Sequence, residues 1–433
     1  EWLVTNPLGS YASGSAAGTN TRRYHGLLVA ATRPPVGRIV ALSCLLDELV
    51  LTDPDGGERT FALSTFEFPG AIAPDARPNL AELKAGPAAA FVYRFGGVEV
   101  IREIVLADTT NAVAVRYRIR RAEGSEERVA PAGRLRIRPF AALRDFHHLR
   151  TFDPDNRVTF TAAEDAVKIE DRGSALPALH VAIDAGAKFR AEPQWWNRFR
   201  YRADLARGQD GLEDLYSPGW FEADLAEARP VQLTASVGER VAVDFETALA
   251  ARRRRKEQFV AGLGDEADRT VRRLAAAAEA FVVRRNGARP GRMSILAGYH
   301  WFADWGRDAM IALPGLLLET GRFAEARAVL ATFAEAADAG MVPNCFADRD
   351  GPPAYNSIDA SLWFVIAADR YVRASGDQAA WGELLGPAAE RILQAYHDGT
   401  RFDIRADADG LLAGGGEGTQ LTWMDAAFAG RPV

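Results

Sequence analysis

The chain changes its pattern of hydrophobic and polar positions once, at about residue 245. Before that point, apolar and polar residues alternate over short stretches separated by turn-forming Gly, Pro, Asn and Asp. The clearest stretches are Val98 and Val100 with Ile104 nearby, Val113 with Val115, Tyr117 and Ile119, and Leu135 with Ile137. A period of two with frequent turns is typical of antiparallel sheet. We therefore expect an N-terminal antiparallel β-sandwich over residues 1–245.

From about Thr247 the composition becomes rich in Ala, Arg and Glu, and the hydrophobic period becomes helical. Two stripes have the spacing of one helix face. They are Val271, Leu274, Ala278 and Phe281, and then Phe323, Ala326, Leu330, Phe333 and Ala337. We expect about five helices of ordinary length after residue 265. The pattern thus predicts a helical domain over residues 265–433, joined to the sandwich by a linker helix over residues 246–264.

The linker contains a basic run, ARRRRKEQF at residues 251–259. Such a run suggests either a nucleic-acid patch or a solvated helix. Acidic residues follow it at once, and the chain as a whole carries a net charge of −6. We therefore favour the solvated linker helix, and we expect no nucleic acid as a partner.

Length and composition set further bounds. A chain of 433 residues is longer than a single hydrophobic core supports, so two domains are expected. Its two cysteines, Cys44 and Cys345, are too few for a disulfide framework. The histidines at 25, 147, 148 and 300 lack metal-ligand spacing, so we expect no metal and no other cofactor.

Targeting signals are not evident in the sequence. No apolar run approaches the ~20 residues of a membrane span, and no signal-peptide pattern opens the chain. We therefore expect a cytoplasmic protein without a membrane partner; the oligomeric state is not indicated. The chain begins at Glu1 without an initiator Met, so we also expect that it is not the complete gene product.

The segment GYHWFADWGRDAM, residues 298–310, carries the most chemistry. Trp301 and Trp305 offer flat faces that can cover a sugar ring. Arg307, Asp304 and Asp308 offer the hydrogen bonds that hydroxyl groups need. The segment indicates carbohydrate binding, and the alternative is a buried aromatic turn with an Arg–Asp ion pair.

Two later segments have the same character. PNCFADRDGPPAYNSIDASLWF, residues 343–364, is a polar loop that runs into an apolar helix. QLTWMDA, residues 420–426, places Trp423 near the carboxylate Asp425, after a glycine-rich run. Irregular loops beside helices are where binding sites are usually built.

These segments also carry a family resemblance. HWFADWGRDAMIALPGL, YNSIDASLWF and QLTWMDA resemble motifs of the glucosidase domain of glycogen debranching enzymes, the amylo-α-1,6-glucosidases of bacterial and archaeal type. The opening, residues 1–31, is similar to the start of that family's N-terminal domain. Residues 138–149 and 207–221 match further motifs in the expected order, so the resemblance covers nearly the whole chain.

The resemblance implies an α+β multidomain fold. It names the first domain a supersandwich and the second an (α/α)6 barrel. A complete ring of helix pairs needs about a dozen helices, more than the sequence pattern provides, so we expect the barrel to be incomplete here. On that expectation this chain by itself would be inactive and would leave apolar positions such as Leu362, Val365 and Ile366 uncovered.

The resemblance also implies an inverting glycoside hydrolase acting on α-1,6 branch linkages of glycogen or a related α-glucan. Such hydrolysis needs two carboxyls. Asp425 matches the general acid, and Trp423 and Met424 beside it are apolar neighbours that would raise its pKa. Without the resemblance, a helix cap would be the favoured role of Asp425. The general base of the family is a glutamate expected beyond residue 433.

Arg307 and Asp308 resemble the pair that grips the terminal glucose in exo-acting enzymes with this barrel. If they form an ion pair, loss of Asp308 would leave a buried guanidinium unpaired. Further substrate-binding candidates are Asp304, Trp305, Tyr355, Asn356, Asp359 and Trp423. Trp363 suits core packing at least as well. The polar segment NTRRYHG, residues 20–26, is expected either to reach over the barrel mouth or to fix the domain interface.

Two other function classes stay open at this point. A glucoamylase-like or trehalase-like hydrolase would share the barrel, the Arg–Asp pair and the catalytic carboxyl, and would differ in the linkage it cleaves. A non-catalytic glucan-binding protein would share only the sugar contacts. Linkage profiling distinguishes the first alternative, and turnover distinguishes the second.

Overall fold

A computed structural model describes residues 1–52, 55–95, 97–122, 132–152, 154–155, 157–184, 186–285, 291–348, 351–424, 426–429 and 431–432. The chain divides into two compact units. The first contains Glu1–Thr32 and Gly37–Arg253, and the second contains Arg33–Val36 and Arg254–Val433. The domain boundaries predicted from the sequence, at residues 245 and 265, stay a prediction.

The first unit is built almost wholly of β-strands. In chain order they are β1 (Trp2–Thr5), β2 (Tyr11–Gly14), β3 (Gly26–Arg33), β4 (Val36–Thr52), β5 (Glu58–Ala62), β6 (Glu67–Phe68), β7 (Ala71–Ile72), β8 (Leu80–Ala85), β9 (Ala89–Phe95), β10 (Val98–Leu106), β11 (Ala112–Arg121), β12 (Ala132–Asp145), β13 (Val158–Ala162), β14 (Ala166–Asp171), β15 (Leu179–Ile183), β16 (Lys188–Arg200), β17 (Leu212–Ala226) and β18 (Val231–Val237). The helical turn α1 (Arg202–Leu205) lies between β16 and β17.

These strands form two large antiparallel sheets. One has the order β1-β2-β3-β4-β12-β17-β16, with β5 paired to β4, and the other has the order β13-β14-β15-β18-β11-β10-β9-β8. A single apolar cluster joins side chains from both sheets, among them Leu49, Val113, Leu135 and Phe221. The predicted antiparallel β domain is therefore confirmed.

Strand β10 departs from the two-faced pattern that its alternation predicts. Val100 and Ile104 face the core, as expected, yet every residue of the strand is buried. Glu99 and Glu103 on the other face each bind arginines of neighbouring strands, including Arg116 and Arg120. Long arginine stems cover apolar surface while their charged ends pair with carboxylates, so a polar position becomes a buried one.

The second unit is mainly helical. Its helices are α3 (Arg269–Ala278), α4 (Gly306–Leu313), α5 (Phe323–Glu335), α6 (Ala360–Ser375), α7 (Gln378–Ala380) and α8 (Gly386–Asp398). Helix α4 continues as a π-helical turn over Pro314–Leu318, and another over Trp381–Leu385 joins α7 to α8. Short hairpins pair β19 (Val282–Arg284) with β20 (Met293–Ile295), β21 (Arg405–Ala406) with β22 (Leu412–Ala413), and β23 (Ala427–Phe428) with β24 (Arg431–Pro432). None of the described helices has the length and apolar content needed to cross a membrane.

The two predicted helix stripes have different outcomes. In α5, Ala326, Leu330 and Phe333 are fully buried in the core of the second unit, as the spacing predicts. In α3, Val271 is 42% exposed and Leu274 is 66% exposed. The first stripe therefore identified a helix correctly, and Ala278 lies in the core, but Val271 and Leu274 do not.

The basic run does form a helix, α2 (Phe245–Ala261). The expectation that it is solvated is wrong in part. Arg252 is buried and donates from Nη1 to the carbonyl of Thr5 at 2.9 Å, and Arg255 pairs with buried Glu279 at 2.9 Å. Two of the basic side chains thus hold structure together.

Candidate active site

Helix α4 places Arg307 and Asp308 in its first turn. The backbone N–H of Gly306 donates to the carbonyl of Asn344 at 2.8 Å. A Cβ atom at position 306 would lie 2.1 Å from the carbonyl oxygen of Pro343, so the approach of these two backbones requires glycine. Gly306 therefore fixes where the helix begins, and with it the directions of the two charged side chains that follow.

The guanidinium of Arg307 binds the carboxylate of Asp359, which directly precedes α6. Nε donates to Oδ2 at 2.7 Å and to Oδ1 at 3.0 Å, and Nη2 donates to Oδ1 at 2.7 Å. The Arg307 side chain is 14% exposed and that of Asp359 is 33% exposed. The pair is thus partly buried, and its multiple hydrogen bonds fix the plane of the guanidinium.

Ser357 completes this cluster. Its side chain is fully buried, and its Oγ donates to Asp359 Oδ1 at 2.7 Å. Arg307 Nη2 also donates to the Ser357 Oγ at 3.1 Å. We refer to Arg307, Ser357 and Asp359 as the ion-pair cluster.

The two carboxylates near Arg307 have opposite pKa shifts. Burial raises the pKa of the Asp359 carboxyl, but hydrogen bonds from Arg307 and Ser357 outweigh burial and hold it below its ordinary value. The pKa of Asp308 is raised, first by partial loss of hydration and also by the charge of Asp359, against the opposing effect of Arg307. The cluster therefore favours a charged Asp359, whereas partial loss of hydration disfavours charge on Asp308.

This geometry corrects one expectation. The sequence suggested that removing Asp308 would leave the Arg307 guanidinium unpaired, and that is wrong because Asp359 accepts its hydrogen bonds. Asp308 itself is exposed at the start of α4. Its role in binding stays a prediction.

Asp304 has a different environment. It is fully buried, and its Oδ2 accepts from Arg285 Nη1 at 2.5 Å. Burial raises its pKa, and the positive charge of Arg285 opposes that change. The guanidinium of Arg285 also lies over the ring of Phe346, 3.9 Å from its centre. A sugar has no access to this carboxylate, so we assign Asp304 to the support of the site rather than to its surface.

Two further candidates lie on the loop before Asp359. The hydroxyl of Tyr355 donates to the carbonyl of Ala336 at 2.8 Å, and Arg401 lies over its ring. Asn356 is exposed, and its Oδ1 accepts from Asn344 Nδ2 at 3.3 Å. Tyr355 is therefore anchored to the fold, whereas Asn356 is accessible to a ligand.

The aromatic residues of the first motif are only partly covered. Trp301 and Trp305 are half-buried, and Phe302 is 43% exposed. Phe302 and Trp305 meet edge to face, with ring centres 6.5 Å apart. Trp363 packs against the core of the second unit, which agrees with its alternative interpretation as a packing residue.

The segment that leads to Asp425 is tied to the loop of the ion-pair cluster. Leu421 is buried, and its carbonyl accepts from the N–H of Ile358, the residue before Asp359, at 2.8 Å. Trp423 is 71% exposed and Met424 is 42% exposed. Asp425 lies outside the described residues. The third motif is thus brought beside the second by a backbone hydrogen bond.

The polar segment at residues 20–26 is held by the other N-terminal motifs. The N–H of Arg23 donates to Asp204 Oδ2 at 2.6 Å, and Arg144 Nη2 donates to the carbonyl of Arg23 at 2.7 Å. The hydroxyl of Tyr24 lies 3.1 Å from His147 Nδ1. Motifs far apart in sequence therefore converge within the first unit, while the function of the segment stays a prediction.

Sequence reasoning missed Ser357 and Arg285. Ser357 had a detectable signal, because serine and aspartate just before an apolar run are typical of a helix N-terminus. Arg285 had none, since it lies 19 residues from its partner Asp304. Its role follows only from the tertiary structure.

The fold and site define a β-sandwich unit followed by a helical unit with a polar and aromatic loop cluster. A family model described as glycogen debranching enzyme, N-terminal, matches residues 1–232, and a model described as amylo-alpha-1,6-glucosidase matches residues 276–433. The first match alone covers more than half of the chain. The chain belongs to the glycogen debranching enzyme family.

One individual relative resembles a short part of this chain. The chain is 40% identical over 90 residues to the glycogen debranching enzyme of Saccharomyces cerevisiae. That alignment spans 21% of this chain and 5% of the yeast protein.

Solved structures show weak similarity. A bacterial glucoamylase complexed with acarbose has 12% identity and a TM-score of 0.45 over 91% of this chain and 58% of that one. A putative kojibiose phosphorylase from human microbiome has 9% identity and a TM-score of 0.46 over 94% of this chain and 57% of that one. Both similarities are too weak to define the architecture of the helical unit.

Proposed function

We propose that the chain is part of a glycoside hydrolase that removes glucose from α-1,6 branch points of glycogen or a related α-glucan. The observation that carries this proposal is the arrangement at the start of α4. Arg307 is fixed by Asp359 and Ser357, and exposed Asp308 follows it directly. A fixed guanidinium and an adjacent carboxylate can bind neighbouring sugar hydroxyls as donor and acceptor.

The surrounding side chains suit the same ligand. Trp301, Phe302 and Trp305 leave aromatic surface accessible on the segment before Arg307. Aromatic faces cover the apolar face of a sugar ring, while Asn356 and Asp308 offer hydrogen-bonding groups. We propose that the terminal glucose binds to these residues, and that Trp423 contributes from the third motif.

For the chemistry, we propose Asp425 as the general acid. The family resemblance supports this role, and the Ile358–Leu421 hydrogen bond places the segment that leads to Asp425 beside the loop of the ion-pair cluster. Donation of a proton to the glycosidic oxygen, with a second carboxylate activating water on the opposite face, inverts the anomeric centre. We further propose that the enzyme inverts the anomeric centre, that its helices form an (α/α)6 barrel, and that its partner is an α-glucan.

Linkage profiling tests the function. The enzyme is incubated with a maltooligosaccharide bearing a single α-1,6-linked glucose and, separately, with the linear α-1,4 oligosaccharide of the same length. Faster glucose release from the branched substrate supports the proposal, with Asp425→Asn as the inactive control. Faster release from the linear substrate would indicate a glucoamylase-like enzyme. Binding of both without release would indicate a glucan-binding protein.

A further inference from the structure

We propose that Ser357 is a positioning residue for sugar binding, which holds Asp359 and Arg307 in the geometry that grips the substrate. This inference rests on the proposed function. Ser357 contacts both members of the ion pair, and its side chain is fully buried. It acts through the pair, because a fully buried hydroxyl cannot reach the ligand itself.

The hydroxyl of Ser357 is saturated by its neighbours. A serine Oγ has one proton to donate and two lone pairs that accept. The proton goes to Asp359 Oδ1 at 2.7 Å. The lone pairs accept from Arg307 Nη2 at 3.1 Å and from the backbone N–H of Ala360 at 3.2 Å. All three bonds are therefore committed, and each fixes a different part of the site.

These bonds determine orientation. The bond from Ser357 fixes the carboxylate Oδ1 that also accepts from Arg307, so it restricts rotation of the Asp359 side chain. The bond to the N–H of Ala360 ties the same hydroxyl to the first turn of α6. The ion pair is thus attached to the backbone of a helix. Loss of the hydroxyl removes one of the bonds that orient Asp359 Oδ1 and leaves two donors with one partner fewer.

Ser361 provides a matched control. It is also fully buried, and it lies four residues later on the same helix. Its Oγ accepts from the N–H of Val342 at 2.9 Å. Ser361→Ala therefore removes a buried serine hydroxyl of equal size that bonds to the backbone of another loop and to Tyr396 rather than to the ion pair.

The test is a double-mutant cycle on binding of 1-deoxynojirimycin, a mimic of a single glucose unit, measured by calorimetry. Ser357→Ala should lower affinity by roughly tenfold, about the contribution of one hydrogen bond to a charged group. In the Asp359→Ala background, which removes the acceptor of the Ser357 hydroxyl, the same substitution should cost less affinity than it does in the wild type. Ser361→Ala should bind like the wild type.

The possible outcomes separate the positioning role of Ser357 from the proposed function. Equal affinity of Ser357→Ala and the wild type, or additive losses with Asp359→Ala, would overturn the positioning role. If Ser357→Ala fails to fold, Ser357→Thr and Ser357→Cys are compared instead, because the hydroxyl of Thr should keep affinity for 1-deoxynojirimycin whereas the weak thiol donor of Cys should lower it. Equal affinity of these two variants would refute the inference. Failure of the wild type to bind the probe would overturn the proposed function and this inference together.

Discussion

Asp359→Asn should lower the free energy of unfolding, whereas Asp308→Asn should lower affinity for a sugar with almost no change in stability. Each substitution removes one negative charge near Arg307. Asp359→Asn leaves a guanidinium that is only 14% exposed without the carboxylate that accepts three of its hydrogen bonds. Breaking a fully buried pair costs roughly 3–5 kcal/mol, and breaking an exposed pair costs about 0–1 kcal/mol. The partial burial, with one acceptor retained by Asn, leads us to expect a loss of about 2 kcal/mol in the free energy of unfolding.

Asp308→Asn should leave stability almost unchanged. Asp308 is exposed, and surface substitutions usually change the free energy of unfolding by less than about 0.5 kcal/mol. The charge lost from the first turn of α4 weakens its interaction with the helix dipole, but repulsion from Asp359 is lost as well. Affinity for 1-deoxynojirimycin should still fall by about tenfold or more, since a carboxylate that accepts from sugar hydroxyls is gone.

The pH dependence should have opposite signs for the two carboxyls. The pKa of Asp359 is lowered in the folded state, so its contribution to stability is present above its ordinary value of 3.8 and is lost as the pH falls through the lowered pKa. The pKa of Asp308 is raised, so its contribution is present below 3.8 and is lost as the pH rises through the raised pKa. The destabilisation caused by Asp359→Asn should therefore be largest near neutral pH and disappear in acid.

Urea unfolding followed by tryptophan fluorescence at several pH values measures stability, and calorimetric titration with 1-deoxynojirimycin measures binding. If both variants fold and bind like the wild type, neither carboxylate contributes to the site. That result would refute the binding proposal. Equal destabilisation by the two substitutions would refute the assignment of Asp359 as the partner of Arg307. Stability should respond mainly to Asp359→Asn, and Asp308→Asn should lower affinity without lowering stability.

Three further predictions concern the acid, the stereochemistry and the helix start. In the full-length enzyme, Asp425→Asn should lower turnover by at least ~10²-fold with folding and glucan binding retained, and a folded variant with normal glucose release would exclude it as the acid. The first glucose released from an α-linked branch should be the β-anomer; NMR before mutarotation that detects α-glucose would contradict inversion. Gly306→Ala should lower the melting temperature, because its Cβ meets the carbonyl oxygen of Pro343, whereas Gly315→Ala has open space and should not. Similar melting temperatures for these two variants would contradict the close approach.

Local patterns predicted the elements of secondary structure well, because backbone periodicity is written into neighbouring residues. The alternation around Val113 became β11, and Ala326, Leu330 and Phe333 of the second stripe became a buried face of α5. Burial was predicted less well. Leu274 is exposed and Arg252 is buried, since burial depends on what packs against a helix rather than on the helix itself.

For the candidate site, too, the segments were predictable from the sequence, but the environments of individual side chains were not. Motif composition alone was enough to single out the segment with Arg307 and Asp308, the loop with Asp359 and the segment before Asp425. The burial of Asp304 was not predictable, because a carboxylate beside tryptophans suggests a binding group and only the structure reveals its contact with Arg285. Ser357 was overlooked, since a serine in a polar loop has many ordinary uses.

By itself, the sequence determined where strands give way to helices, which loops are candidates for sugar binding, and which family the motifs resemble. These properties depend on residue type and on spacing along the chain. Only the tertiary structure decided which carboxylate pairs with Arg307. Asp308 is adjacent in sequence, whereas Asp359 is 52 residues away, yet α4 and α6 contribute to one core and bring the distant pair together. Packing of the two helices, rather than distance along the chain, therefore sets the geometry and charge of the site.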